Sequence, residues 1–283
     1  MASKTIRVLS LFSGCGGMDL GLEGGFSIHK GCINEKSNPD FIEKQERGDL
    51  VKLYSTRFQL VFANDILKEA RTAWVHYFAK YGYTPDVYRE ESIVDLVKRH
   101  RGGELVFPEK VDVVTGGFPC QDFSVAGKRN GFNSHKDHKG KIIDGEIASE
   151  ETRGKLYMWM KEVIEITKPK LFIAENVKGL VNLSNVKEII QQDFSRADGD
   201  GYIVLEPRVL HAADYGVPQS RERVIFIGIR KSALTPAARE ALMRDVIPDE
   251  YVPYPSPSHA YHIKNKGLMP PQTVGGMFAG LKE

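Results

Sequence analysis

Short apolar runs and longer amphipathic stretches alternate along the chain. Ile6 to Leu11 is a short apolar run of the kind buried in a parallel sheet, followed by a glycine-rich turn and an amphipathic stretch. Similar strand candidates recur at Gln59 to Ala63, Val111 to Thr115, Leu171 to Ala174 and Val224 to Ile229. Helix-length patterns lie between them, at Ile66 to Tyr81 and at Leu156 to Thr167, the second ending just before Lys168-Pro169. This alternation predicts an α/β layered domain with a mainly parallel sheet.

Two stretches interrupt the rhythm. Residues 31–57 are polar and weakly periodic, and read as an insertion between the first helix and the second strand. From Ile247 onward the chain is rich in proline (Pro248, Pro253, Pro255, Pro257, Pro270, Pro271) with tyrosines between, and adds no further strand and helix pair.

With 283 residues, 41% hydrophobic and 27% charged, the composition excludes disordered and fibrous classes. No stretch approaches the roughly 20 apolar residues of a membrane span, and the start shows no cleavable signal pattern, so a cytosolic chain is expected. Cys15, Cys32 and Cys120 form no C-x-x-C pair; neither a disulfide framework nor a metal centre is expected, which leaves room for a single reactive thiol. A net charge of +2 is too small for a general nucleic-acid binder, so any basic surface is local. The local candidate is the run 127–141, where Lys128, Arg129, Lys136, Lys139 and Lys141 face Asp137 alone. By itself such a run reads as a solvated loop, and its flanking residues change that reading.

The candidate chemistry sits at the ends of the predicted strands, where open α/β sheets bind ligands. LFSGCGGMDLGL places Gly14, Gly16 and Gly17 between strand and helix, a turn that is either structural or a cradle for a nucleotide-like ligand. Asp65 ends the second strand, positioned to hold a ribose or to cap the next helix. GGFPCQDFS puts Cys120 in a turn-like segment just before the basic run, surroundings that favour thiolate, although a free cysteine is also a small buried hydrophobe. Glu175, Asn176 and Val177 end the next strand. Gln219, Arg221 and Arg223 lead into the last one, with the two arginines on one side by the two-residue period, able to hold phosphate or polarise a carbonyl oxygen.

In order and in wording, FSGCGG, the strand end at Asp65, GGFPCQDFS, AENVKGL and VPQSRERVIFIG resemble the characteristic blocks of the DNA cytosine-5 methyltransferases, over about Ile6 to Arg230. The resemblance implies a Rossmann-like S-adenosylmethionine-dependent methyltransferase fold, a mainly parallel sheet with helices on both faces. It implies Cys120 as nucleophile, Glu175 as acid, and Arg223 and Arg221 as anchors of the base and its phosphate. S-adenosylmethionine is expected over Phe12, Ser13, Gly14, Cys15, Gly16 and Gly17, with Asp65, Ile66, Ser92, Ile93, Pro119 and Leu156 around it. Contacts to double-stranded DNA or the target base are expected from Gln121, Ser124, Lys128, Arg129, Asn176, Val177 and Gln219, with residues 121–155 as a lid over a flipped-out cytosine.

The sequence departs from the family pattern at Ser92, where an acidic residue usually holds the adenine amine; Glu91 is the acidic neighbour. The later family blocks are not found. Residues 1–230 are therefore expected to form the catalytic and cofactor-binding domain, and 231–283 an extension toward a target-recognition region carried elsewhere, in a second polypeptide or a longer chain. A bacterial restriction-modification enzyme is the implied setting, with a tRNA cytosine-5 methyltransferase as the alternative.

Overall fold

A computed structural model describes residues 4–119, 156–182, 185–199, 201–263 and 267–279. Its centre is strand β1 (Ile6–Leu11), whose alternate side chains enter two different cores, Leu9 and Leu11 on one face and Val8 on the other. The other strands are β2 (Ser27–His29), β3 (Ile42–Gln45), β4 (Leu50–Leu53), β5 (Phe58–Asp65), β6 (Tyr88–Glu90), β7 (Val113–Gly116), β8 (Leu171–Val177), β9 (Tyr202–Val204), β10 (Arg208–His211) and β11 (Glu222–Arg230). The helices are α1 (Gly17–Glu23), α2 (Lys68–Phe78), α3 (Ile93–Arg101), α4 (Leu156–Thr167), α5 (Val186–Ser195), α6 (Pro236–Leu242) and α7 (Val274–Phe278).

The main sheet runs β10-β11-β8-β7-β1-β5-β6, with β9 also paired to β11. From β6 to β8 all pairings are parallel, as the alternation predicts. β11 is antiparallel to β8 because it returns from β10 through the connection 212–221, which holds a single short 3-10 turn rather than a crossover helix. The consequence is functional: the entry to β11 lies on the rim formed by the carboxyl ends of the parallel strands, and Arg223 pairs in register with Val177.

One face of the sheet is covered by α3, α4 and α5, which bury Val94, Leu96, Val97, Met160, Val163, Ile164, Ile190 and Phe194 against Leu9, Val114, Phe172 and Phe226. On the other face α1 and α2 pack Leu20, Trp74 and Phe78 over Val8, Leu60, Ala63 and Val113. At the β11 end that second face is closed by the chain after Arg230, where Leu242 and Tyr254 bury Leu205 and Ile227. Tyr254 donates its hydroxyl to the carbonyls of Glu206 (3.1 Å) and Ile225 (3.0 Å). The proline-rich stretch therefore packs on the sheet instead of running free of it.

The helix expected over Ile66 to Tyr81 begins two residues later, because the N–H groups of Ile66 and Leu67 are turned onto the Asp65 carboxylate (2.8 and 3.1 Å). The polar stretch 31–57 holds β3 and β4, which join β2 in a separate antiparallel sheet of order β2-β4-β3. Its strands are short and Val51 is the one fully buried residue among them, so the apolar pattern is faint. Among the described residues, no helix is long and apolar enough to cross a membrane.

Candidate active site

The glycine turn is fixed from below and from the side. Ser13 exchanges two hydrogen bonds with Asn64, its N–H donating to the Asn64 carbonyl (2.8 Å) and its hydroxyl accepting the Asn64 N–H (3.1 Å), which locks the tips of β1 and β5 together. Gly14 and Gly16 take the left-handed conformation at φ of 53° and 90°. The Gly14 N–H donates to Asp65 Oδ2 (3.0 Å) and its carbonyl accepts from the Tyr88 hydroxyl (3.0 Å). A Cβ at Gly16 would lie 2.4 Å from Phe78 and 2.7 Å from Trp74, so the turn rests directly on the rings of α2. Phe12 is also left-handed (φ 52°) and packs half-buried against the main core, while Cys15 is exposed and Gly17 opens α1.

Asp19, in the first turn of α1, is only 1% exposed. It accepts from the Ser10 hydroxyl (2.5 Å) and from Trp74 Nε1 (2.7 Å), yet burial outweighs these bonds and raises its pKa to about 6. Asp19, Trp74 and Tyr88 form the underside of the turn, and sequence reasoning passed over all three. An acidic residue inside the apolar stretch MDLGL was the available signal.

Beyond the turn, a cleft of about 440 Å³ is lined by Ile66, Leu67, Glu90, Glu91, Ser92 and Asp95. Ile66 and Leu67 are exposed aliphatic side chains at its mouth, directly after Asp65. Ser92 is buried and caps α3, its hydroxyl accepting the Val94 N–H (3.3 Å). The Glu91 carboxylate pairs with Arg99, and its carbonyl accepts from the Asn64 amide (2.8 Å). Ile93 and Leu156 are core residues, and Pro119 is half-buried.

At the other end of the rim, Glu175 on β8 faces the start of β11. Its Oε1 lies 2.6 Å from Arg223 Nε and 3.7 Å from Arg221 Nη2. Its Oε2 would stand 3.1 Å from a Cβ on Gly117, so it occupies the room left by that bare backbone. Asn176 is buried to 1% exposure, and its amide donates to the Phe118 carbonyl (3.1 Å), which ties the segment Gly117 to Pro119 to β8. Asn176, expected to face the base or DNA, thus spends its amide on this internal bond. Val177 is half-buried and Gln219 exposed in the turn before β11. Cys120, Gln121, Ser124, Lys128 and Arg129 lie outside the described residues.

A paired acid and guanidinium, a glycine turn and a segment leading into a cysteine thus share one rim, in the order the motifs predict. The family model for C-5 cytosine-specific DNA methylase matches residues 6–266. The chain belongs to this family. One relative, the type II methyltransferase M.BsuRI of Bacillus subtilis, is 34% identical over 271 residues, covering 95% of this chain and 49% of its own. The type II methyltransferase M.HpaII of Haemophilus parainfluenzae is 32% identical over 213 residues, covering 70% of this chain and 49% of its own. A crystal structure described as a DNA modification methyltransferase encoded within an E. coli prophage shares the fold, with a TM-score of 0.54 at 23% identity, over 99% of this chain and 56% of that one. The chain spans about half the length of the curated relatives it matches. The α/β methyltransferase fold expected from its motifs is borne out.

Proposed function

We propose that this chain carries the catalytic and cofactor-binding part of a DNA cytosine-5 methyltransferase of the restriction-modification type, acting on a cytosine rotated out of the duplex. The observation that carries this reading is the 2.6 Å contact between Arg223 and Glu175, beside the backbone that leads into Cys120.

Carbon 5 of cytosine is too poor a nucleophile to be alkylated directly. Addition of the Cys120 thiolate to carbon 6, with a proton delivered from Glu175 to ring nitrogen 3, makes carbon 5 enamine-like. Arg223 fixes Glu175 through Oε1 and leaves Oε2 over Gly117. Arg221 and Arg223 also bring positive charge to the base oxygen as electron density builds there. Once carbon 5 carries the methyl group, its proton passes to water, the proton on ring nitrogen 3 returns to Glu175 and the Cys120 thiolate leaves, which restores the aromatic ring.

S-adenosylmethionine, when bound, supplies the electrophilic methyl group. The residues present suit it: the left-handed glycine turn leaves open space over Gly14 and Gly17, Asp65 keeps acceptor capacity for ribose hydroxyls, and Ile66 and Leu67 offer an apolar wall for a base. Ser92 and the acidic groups of the cleft would face the adenine edge. Since Glu91 is engaged with Arg99, Ser92 is the nearer candidate for that contact.

The type II relatives favour DNA over the alternative tRNA substrate. The relatives are about twice as long as this chain, and nothing in the comparisons supports a separate partner chain. The test is transfer of labelled methyl from S-adenosylmethionine to unmethylated duplex DNA and to tRNA, with Cys120→Ser as control, and trapping of a covalent adduct on DNA containing 5-fluorocytosine. An adduct on DNA that Cys120→Ser abolishes supports the proposal. Transfer to tRNA alone, or an adduct that survives the substitution, overturns it.

A further inference from the structure

His211, Asp214 and His262 each bring a donor atom within 4.8 Å of the others, and among the described residues this is the one such group of three. The expectation of no metal rested on cysteine spacing, which is blind to a set gathered from β10, the turn after it and the proline-rich stretch.

The cluster is built rather than incidental. His211 is 7% exposed; its Nε2 lies 3.2 Å from the Ser220 hydroxyl, and its Nδ1 is buried with no hydrogen-bond partner among the described residues. Asp214 is 5% exposed, and its Oδ1 accepts the backbone N–H of His262 (2.8 Å) while Oδ2 lies 3.4 Å from His262 Nδ1. That spacing is close to the roughly 3.3–3.5 Å between ligand atoms around a tetrahedral ion with bonds of about 2.0–2.2 Å. The His211 ring is stacked on Tyr261 (4.8 Å, 6°) and meets His262 edge-on (4.3 Å, 87°). The Asp214 carbonyl accepts the N–H groups of Ser258 and His259, both at 2.9 Å, which holds the segment bearing His262 in place.

We propose that His211 Nδ1, Asp214 Oδ2 and His262 Nδ1 bind one divalent transition-metal ion of the zinc class, with water as the fourth ligand. Two imidazoles and a carboxylate suit such an ion. Ser220 plays the outer role that metal-bound histidines usually require, fixing the ring through its other nitrogen. Side-chain adjustments within the cluster would bring the three donor atoms, now within 4.8 Å of one another, to ligand spacing. The ion joins the segment 258–262 to the turn 212–221, whose last residue is Arg221 and whose first, Ala212, donates its N–H to the Arg221 carbonyl (2.8 Å). It thereby braces the entry to β11 without touching a substrate.

The experiment uses the whole chain, stripped with a chelator and titrated with Zn²⁺ against a chromogenic competitor, and then loaded with Co²⁺ for absorption spectroscopy. The expected result is one ion per chain and ligand-field bands without a thiolate charge-transfer band. His262→Ala, an exposed position at which folding is not at stake, should weaken binding at least about tenfold, and Ser220→Ala about 10–100-fold. Zn²⁺ should raise the melting temperature of the wild type and not that of His262→Ala. Absence of stoichiometric binding, affinity unchanged in His262→Ala, or a thiolate charge-transfer band would each overturn the proposal.

Discussion

Arg223 Nε lies 2.6 Å from Glu175 Oε1, across the antiparallel pair formed by β11 and β8. The contact needs the reversed direction of β11, since a parallel strand would carry its entry to the opposite edge of the sheet. It leaves one carboxyl oxygen for chemistry over Gly117. Glu175→Gln keeps the shape and removes the transferable proton, so methyl transfer should fall by roughly 10²–10⁴-fold with the circular dichroism unchanged. Arg223→Lys, which cannot reproduce the planar guanidinium, should not rescue the wild-type rate. Wild-type turnover in Glu175→Gln would remove the residue from the mechanism.

Asn176 acts through Phe118. Its amide is the tether of the segment before Cys120, at 3.1 Å, and Asn176→Ala would leave a buried carbonyl without its donor at a cost of about 1–3 kcal/mol. A shift of about 1 Å in a reacting group can cost on the order of 10² in rate. The expected outcome is a lowered turnover with S-adenosylmethionine affinity preserved, read by single-turnover kinetics and calorimetry. Equal losses in both would point to general unfolding instead.

Gly16→Ala tests the turn. The new Cβ would stand 2.4 Å from Phe78 at a φ of 90°, combining a left-handed backbone penalty with overpacking for a loss of about 2–4 kcal/mol. Gly17→Ala meets nothing within 4 Å and should be close to neutral in stability. Urea denaturation of the two variants side by side reads the difference; equal midpoints would show that α2 yields at no cost.

Asp19 should make the stability depend on pH in an uncommon direction. Burial lifts its pKa from 3.8 to about 6 in the folded chain, so between those values the folded state holds a proton that the unfolded state releases. The stabilising contribution is complete below about pH 4 and is lost as pH rises to about 6, on the order of 2–3 kcal/mol. Asp19→Asn can still accept from Trp74 through its carbonyl oxygen and should lack this slope. Denaturation midpoints of both proteins from pH 4 to 7 should diverge in favour of Asn; a constant difference across the window would sink the argument.

Much of this molecule is legible in its sequence. Ile6–Leu11 and Leu156–Thr167 keep the bounds their patterns predict, since a strand closed by a glycine turn and a helix halted before Lys168-Pro169 are specified locally. Glu175, Arg221 and Arg223 were singled out as strand-end groups and do meet at one place. The short strands of 31–57 were missed because the pattern there hangs on Val51.

Sequence by itself determined the layered α/β class, the family and the residue types on the rim, because hydrophobic period and motif wording are properties of neighbours along the chain. Tertiary structure alone decided that β11 runs against β8, that Asp19 lies under the glycine turn against Trp74, that Asn176 turns inward to Phe118, and that His211, Asp214 and His262 converge. Those relations join residues far apart in the chain, and burial, direction and distance between them arise only when the sheet is assembled and its two faces are covered.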